Sequence, residues 1–392
     1  MKNKGYVVLY SILLILFFFF PILSLPLLIF LYIIDKDKKG LFYSILIGVS
    51  LGIISYYYVP KEGYDLIKNH NMVLMLQNMK FSDVVSISGS LDLEFIPVLY
   101  SYFISFFNNV DLLQFFVVSG GYSILFYMLY DYRKKVSIDN ISFFIISLFI
   151  FFGFNTLYFI SGLYCYLAFI IFSFVFYSEY VNNKNSLICS ILYILLIFVH
   201  NSLLLPVAIL FLMKLLKNKF NIKIVISLVL LFVSTFYVLT YLNTIINSAS
   251  LQRVLMMYNV YTENNDHYKI YYSGIVFFIE ISKLVMTLLC SLKNQKKDIT
   301  INYIFSLSLI TILMMIKARL AIRYIMIIQF IGMVPIMNVL KEKKKYRVIY
   351  LIVLVILTCI YMAYFIKMFS DQSFGNFFDN KIYKGLIDIF NK

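Results

Sequence analysis

Charge is scarce in this chain. Only 14% of its 392 residues are Asp, Glu, Lys or Arg, while 62% are hydrophobic and the mean hydropathy is +0.88. Water-soluble domains carry roughly 25% charged residues, and a globule of this length could not hide so much apolar surface. Histidine is rarer still. His70, His200 and His267 lie far apart in the chain, so the sequence offers no metal constellation. The four cysteines, Cys165, Cys189, Cys290 and Cys359, sit singly in apolar runs without Cys-x-x-Cys spacing. That pattern reads as small buried hydrophobes rather than disulfides or metal ligands. No Walker or glycine-rich phosphate motif is present, which argues against a cytosolic nucleotide-using domain and leaves no cofactor implied. Tryptophan is absent, so lipid-facing bulk and interfacial belts fall to 34 Tyr and 40 Phe. Neither an internal repeat nor a low-complexity linker stands out, and residues 1–392 read as a single integral-membrane domain.

What the chain does have is long apolar runs. Most are about 15 to 25 residues, near the roughly 20 that cross hydrocarbon as a helix. They are solid rather than alternating, which excludes a β-barrel. The fold class expected is all-α, a polytopic membrane protein with about 12 transmembrane helices. The first run, 6–34, contains Pro21 and Pro26 and reads as one kinked helix or two short passes. Lys2 and Lys4 precede it as in a signal sequence, but no small-x-small cleavage site follows, so it reads as an uncleaved anchor. Further helices are predicted near 41–59, 111–130, 141–154, 158–178, 187–200, 202–216, 222–243, 271–292, 299–316, 324–340 and 347–368.

The formal charge is +15. No interleaved basic and aromatic surface accompanies it, so nucleic acid is not an expected partner. The excess instead falls into five clusters: Lys36/Lys38/Lys39, Arg133/Lys134/Lys135, Lys214/Lys217/Lys219/Lys223, Lys293/Lys296/Lys297 and Lys341/Lys343–Lys345/Arg347. Positive loops orient helices toward the cytoplasm, and the helix list places all five on that side. This topology requires 93–107 not to cross, and that stretch reads as a re-entrant or interfacial helix in the first outer loop. The outer face then collects 60–110, 244–270, the His200 turn, the Lys317–Arg323 turn and the tail 369–392.

Lys317-Ala-Arg-Leu-Ala-Ile-Arg323 therefore places three cations on the face where positive charge does not normally collect. Arg319 and Arg323, four apart, share a helical face and begin the apolar run from Ala321 to Pro335. They fit a phosphate or pyrophosphate ligand, since a guanidinium fork matches two phosphate oxygens. Snorkelling to lipid phosphates, or ion pairs with outer-loop acids, would explain them equally in kind. Arg253 is a third candidate in the other outer loop. His200, at an outer helix junction, fits a general base, a phosphate contact or a turn cap. Asp65, Asp92 and Glu94 are acids of the first outer loop that fit either a base for glycosyl transfer or plain solvated carboxylates. Glu280 reads as structurally paired with Lys283.

In order and spacing most of the chain resembles the group of O-antigen (Wzy-type) polymerases and related EpsG-like exopolysaccharide membrane proteins. The resemblance rests on Gly63-Tyr-Asp65, Leu93-Glu-Phe-Ile-Pro97 with Tyr100, Ser161-Gly-Leu-Tyr-Cys-Tyr-Leu-Ala168, His200-Asn-Ser202 and Ala318-Arg-Leu-Ala-Ile-Arg-Tyr324. It departs at Tyr164, where relatives tend to carry arginine. The resemblance implies polymerisation of undecaprenyl-pyrophosphate-linked repeat units into O-antigen, capsule or exopolysaccharide, on the outer face of the bacterial cytoplasmic membrane. Arg319, Arg323 and Arg253 would bind pyrophosphate, and His200, Asp65 or Glu94 would be catalytic. The partners implied are the lipid-linked glycan and the bilayer, with a chain-length regulator left open. Another polyprenyl-phosphate-dependent glycosyltransferase and a lipid-linked oligosaccharide flippase or exporter are the alternatives. The apparent gathering of polar residues on one face, rather than at mid-membrane, weighs against transport.

Overall fold

The computed structural model describes residues 2–35, 39–59, 65–90, 95–154, 159–160, 162–216, 274–293, 299–313, 318–341 and 345–371. The described residues form helices and no strand. The predicted helix 222–243, the loop 244–270 and most of the tail 369–392 lie outside them. The helices are α1 (Lys2–Phe19), α2 (Pro21–Ile34), α3 (Gly40–Tyr56), α4 (Asp65–Leu76), α5 (Phe81–Ser90), α6 (Phe95–Ser105), α7 (Asp111–Val136), α8 (Asn140–Gly153), α9 (Leu163–Tyr180) and α10 (Ser186–Ile197). They continue as α11 (Leu204–Leu215), α12 (Gly274–Lys293), α13 (Ile299–Leu313), α14 (Ala318–Lys341) and α15 (Lys345–Asp371). Among the described residues four stretches are long and apolar enough to cross a membrane: Asp111–Val136, Leu163–Tyr180, Ala321–Lys341 and Arg347–Ile366. Several shorter apolar helices accompany them, and the architecture fits a polytopic membrane protein.

Exposure points the same way. Along α15, Val348, Ile349, Ile352, Val353 and Ile356 face outward, and Leu187, Ile188, Ile191 and Leu195 do so on α10. Contiguous apolar faces of this kind need lipid rather than water as solvent. Hydroxyls inside the helices are largely satisfied locally, as hydrocarbon requires. Ser44, Ser147, Ser173, Thr311 and Thr358 each donate to the carbonyl four residues back.

The chain forms two compact units, Met1–Leu203 with Leu340–Lys392, and Leu204–Val339. In the first, α3 lies along α7. Gly40, Ser44, Gly48 and Gly52 recur every four residues on α3, the small-residue spacing that lets backbones meet. A β-carbon at Gly52 would fall 1.8 Å from Ser119 Oγ and 2.8 Å from the Phe115 carbonyl oxygen, and one at Gly48 2.5 Å from the Ser119 carbonyl oxygen. The first apolar run breaks at Phe20–Pro21 into α1 and α2, because Pro21 opens a new first turn where its missing N–H costs nothing.

One end of this unit is tied by basic residues. Arg133 donates to the Tyr32 carbonyl and to Asn140 Oδ1, and its guanidinium lies 4.3 Å from the centre of the Phe143 ring. Asp139 caps α8 through the Ser142 N–H and pairs with Arg347 at the start of α15. Tyr130 donates to the Asp35 carbonyl. These contacts bring Asp35, Arg133 and Arg347, each in or beside one of the basic clusters, to one end of the unit.

At the other end the polar stretch 60–110 is largely helical rather than an open loop. α4, α5 and α6 close on Leu76, Val84 and Val98, with Met72, Met79, Leu99 and Tyr102 packed around them. α6 has 11 residues and so spans about 16 Å, too short to cross hydrocarbon. Asn78 and Asn108, both with left-handed backbone, turn the chain between these helices.

In the second unit α12, α13 and α14 succeed one another through short connections, and α13 touches both α11 and α12. Tyr303 of α13 donates to the Pro206 carbonyl of α11. The turn expected at Lys317–Arg323 is corrected here, since α14 already begins at Ala318. Ala, Leu and Arg are strong helix formers and no Gly, Pro or Asn interrupts them, so charge at this junction does not break the helix.

Candidate functional site

Arg319 and Arg323 occupy the first two turns of α14, which contain no acidic residue in the first turn. Arg323 is half-buried. The start of a helix already carries about half a positive charge from its macrodipole. Two arginines in these turns add positive charge to it, so that an anion is the favourable counterpart. Arg253 and Glu94 lie outside the described residues, as do Lys317 and Asp92.

Asp65 opens α4 and pairs with Lys68 one turn on, at 3.3 Å, with both side chains mostly in solvent. It complements the helix start electrostatically. Among the described residues nothing withdraws it from water, so its geometry is that of a solvated carboxylate.

His200 ends the α10 segment and is followed by a single 3-10 turn, Asn201–Leu203. The Ser202 N–H donates to His200 Nδ1 at 3.2 Å, and the Ser202 hydroxyl lies 2.7 Å from the same nitrogen. A backbone N–H can only donate, so Nδ1 is the acceptor and the neutral ring carries its proton on Nε2. In this tautomer Nε2 carries a hydrogen rather than a lone pair. The ring also meets Phe169 of α9 edge-on, at 6.3 Å between centres. The junction reading and the turn-cap reading thus both hold for this residue.

Tyr164, the departure from the resembling group, hydrogen-bonds through its hydroxyl to that of Ser101 at 2.8 Å and meets Tyr100 edge-on. The position couples α9 to α6 by a neutral pair.

A further constellation went unnoticed in the sequence. Gln114, fully buried near the start of α7, donates through Nε2 to the carbonyls of Ser55, Tyr56 and Tyr58 and so caps the open end of α3. Asn109 donates to the Tyr56 hydroxyl at 2.9 Å and accepts from the Asp111 N–H. His70 of α4 faces this cap. Burial lowers its pKa, outweighing the opposite pull of Asp111 and of the Gln114 amide. Neither His70 Nε2 nor Gln114 Oε1 completes a hydrogen bond, although the two act on one another. The result is a neutral histidine beside the glutamine that caps α3. Its only signal in sequence was a lone glutamine in the apolar run Leu112–Val118.

The expected site residues therefore divide, with Asp65 and His200 in the first unit and Arg319 and Arg323 in the second. Compared with known proteins, the chain matches no family model, no curated protein and no solved structure.

Proposed function

We propose that this protein is an integral-membrane glycosyltransferase of the bacterial cytoplasmic membrane that polymerises undecaprenyl-pyrophosphate-linked repeat units on the extracytoplasmic face. The observation that carries the reading is the pair of arginines on the opening turns of a long apolar helix. In the reaction an acceptor hydroxyl oxygen bonds to the anomeric carbon of the donor glycan. The bond from that carbon to the pyrophosphate oxygen breaks, and the electron pair leaves with the phosphate. Arg319 and Arg323 stabilise the charge that develops there, a role worth most where water is excluded. His200 donates its Nε2 hydrogen to a substrate oxygen, and Asp65 or Glu94 takes the acceptor proton. Arg253 is the third cation of this scheme, and α6 is its interfacial or re-entrant element.

The test is the surface polysaccharide of a strain lacking this chain, complemented with wild type or with Arg319→Ala/Arg323→Ala. The expected result is collapse of a ladder to a single repeat unit, restored by wild type and not by the double variant. A ladder that survives deletion removes the reading. A flippase is the second reading, favoured by the polar side chains Glu280, Lys283 and Gln329 buried midway along α12 and α14. Purified protein given a lipid-linked repeat unit separates the two, because a flippase forms no new glycosidic bond.

A further inference from the structure

Inside the second unit α12 is polar on the inside and apolar on the outside. Glu280, Lys283, Thr287 and Ser291 recur at helical spacing and are all buried, whereas Phe278, Val285, Leu289 and Leu292 are exposed. The expected ion pair is present, with Lys283 Nζ 2.6 Å from Glu280 Oε1. Ser291 donates to the Thr287 carbonyl. The remainder of the stripe is unsatisfied. Among the described residues Glu280 Oε2 and Thr287 Oγ1 have no hydrogen-bond partner, and on α14 neither amide atom of the fully buried Gln329 has one. Thr287 thus breaks the habit of Thr311 and Thr358, whose hydroxyls bond back along their own helices.

Thr287 leans on α14. A β-carbon at Gly332 would lie 2.3 Å from Thr287 Cγ2 and 2.8 Å from its Oγ1, so the glycine admits the threonine against the helix backbone. Gln329 is one turn before Gly332, about 4.5 Å along the axis. The open polar atoms of Thr287 and Gln329 therefore belong to one neighbourhood, with Glu280 Oε2 about two turns farther along α12. Buried groups of this kind are hydrogen-bonded as a rule, and inside a membrane they mark paths and binding sites.

The donor and acceptor balance identifies the occupant. Lys283 cancels the charge of Glu280, which disfavours either an anion or a cation. A single bare metal ion fails on length as well, since Glu280 and Thr287 are about 10 Å apart along the axis with the ammonium between them. Two open acceptors (Glu280 Oε2 and Gln329 Oε1), an amide donor (Gln329 Nε2) and a hydroxyl that does both suit neutral groups that also donate and accept. We propose that α12 and α14 hold a mid-membrane binding site for hydroxyl groups, centred on Glu280, Thr287 and Gln329 and filled by ordered water or by the hydroxyls of a saccharide. The site rests on neither of the two readings of function.

Cysteine labelling in nanodiscs tests it on the full chain, after replacement of Cys165, Cys189, Cys290 and Cys359. Thr287→Cys and Gln329→Cys are each treated with a small charged methanethiosulfonate, with Leu289→Cys as the lipid-facing control. A thiol reacts only as the hydrated thiolate, so both sites should label at least about tenfold faster than the control. Protection by free glucose or N-acetylglucosamine assigns the site to saccharide, and labelling indifferent to sugar assigns it to water. Labelling no faster than at Leu289→Cys overturns the proposal. Gln329→Leu supplies an independent readout in an otherwise native chain. An amide bonded to an occupant loses melting temperature on this change, while a dry unpaired amide gains or holds it. An unchanged or higher melting temperature is therefore the second result that overturns the site.

Discussion

A histidine kept neutral by burial resists protonation in the folded state more than in the unfolded chain. His70 is such a residue, with its pKa lowered first by desolvation. The unfolded side chain titrates near about 6.5, so stability due to His70 is fully present above that pH and is lost as pH falls through the lower folded value. The wild-type protein should lose more melting temperature between neutral and mildly acidic pH than His70→Gln does, as read by thermal unfolding in detergent. Equal losses would mean that His70 titrates as in the unfolded chain. Asp65→Asn, by contrast, removes only a solvated pair with Lys68 and should leave the melting temperature unchanged. In the sequence the two histidines ranked the other way. His200 interrupts an apolar run and draws the eye, whereas His70 stands in Lys68-Asn-His-Asn71, where any side chain looks solvated. Gln114, which acts on it, lies 44 positions later, and no local pattern carries that contact.

Helices were the most legible elements, because hydrocarbon demands runs of a fixed minimum length. α3, α8, α12 and α13 lie within a few residues of the predicted runs. The errors share a cause. Polar residues were read as breaks, yet α4, α5 and the first turns of α14 are helical and polar. Hydropathy reports what can enter lipid, while helix formation in the interface follows propensity and capping. Mid-membrane polarity is legible only in part: Glu280 and Lys283 stand out as a pair three residues apart, whereas Gln329 is a single letter in a long apolar string. The α3–α7 seam rests on small residues every four positions, a spacing whose partner helix only the structure identifies. Gly52→Ala forces a β-carbon into Ser119, and Gly48→Ala forces one against the α7 backbone. Each should cost about 1–3 kcal/mol, with leucine at either site worse than alanine. Melting temperature and folded yield in detergent check both, and a neutral Gly48→Ala would mean that the helices stand farther apart.

For the molecule as a whole, orientation is the quantity that charge sets. The Tyr32–Arg133–Asn140, Tyr130–Asp35 and Asp139–Arg347 contacts bring Asp35, Arg133 and Arg347, each in or beside a basic cluster, to one end of the first unit, while Gln114 and His70 mark the other. With basic ends facing the cytoplasm, alkaline phosphatase fused after Asn78 should be active and fused after Ser137 inactive. The reverse pattern would invert the molecule and place the arginine-bearing start of α14 under a new topology. The seam at Gly48 and Gly52 bears on motion. Backbones that touch directly have no long side chains between them to exchange rotamers, so α3 and α7 can neither slide nor hinge without separating. They form the stator of their unit. Any opening within this unit falls to helices whose contacts are deeper and softer, such as the phenylalanine and tyrosine rings that join α8 to α15.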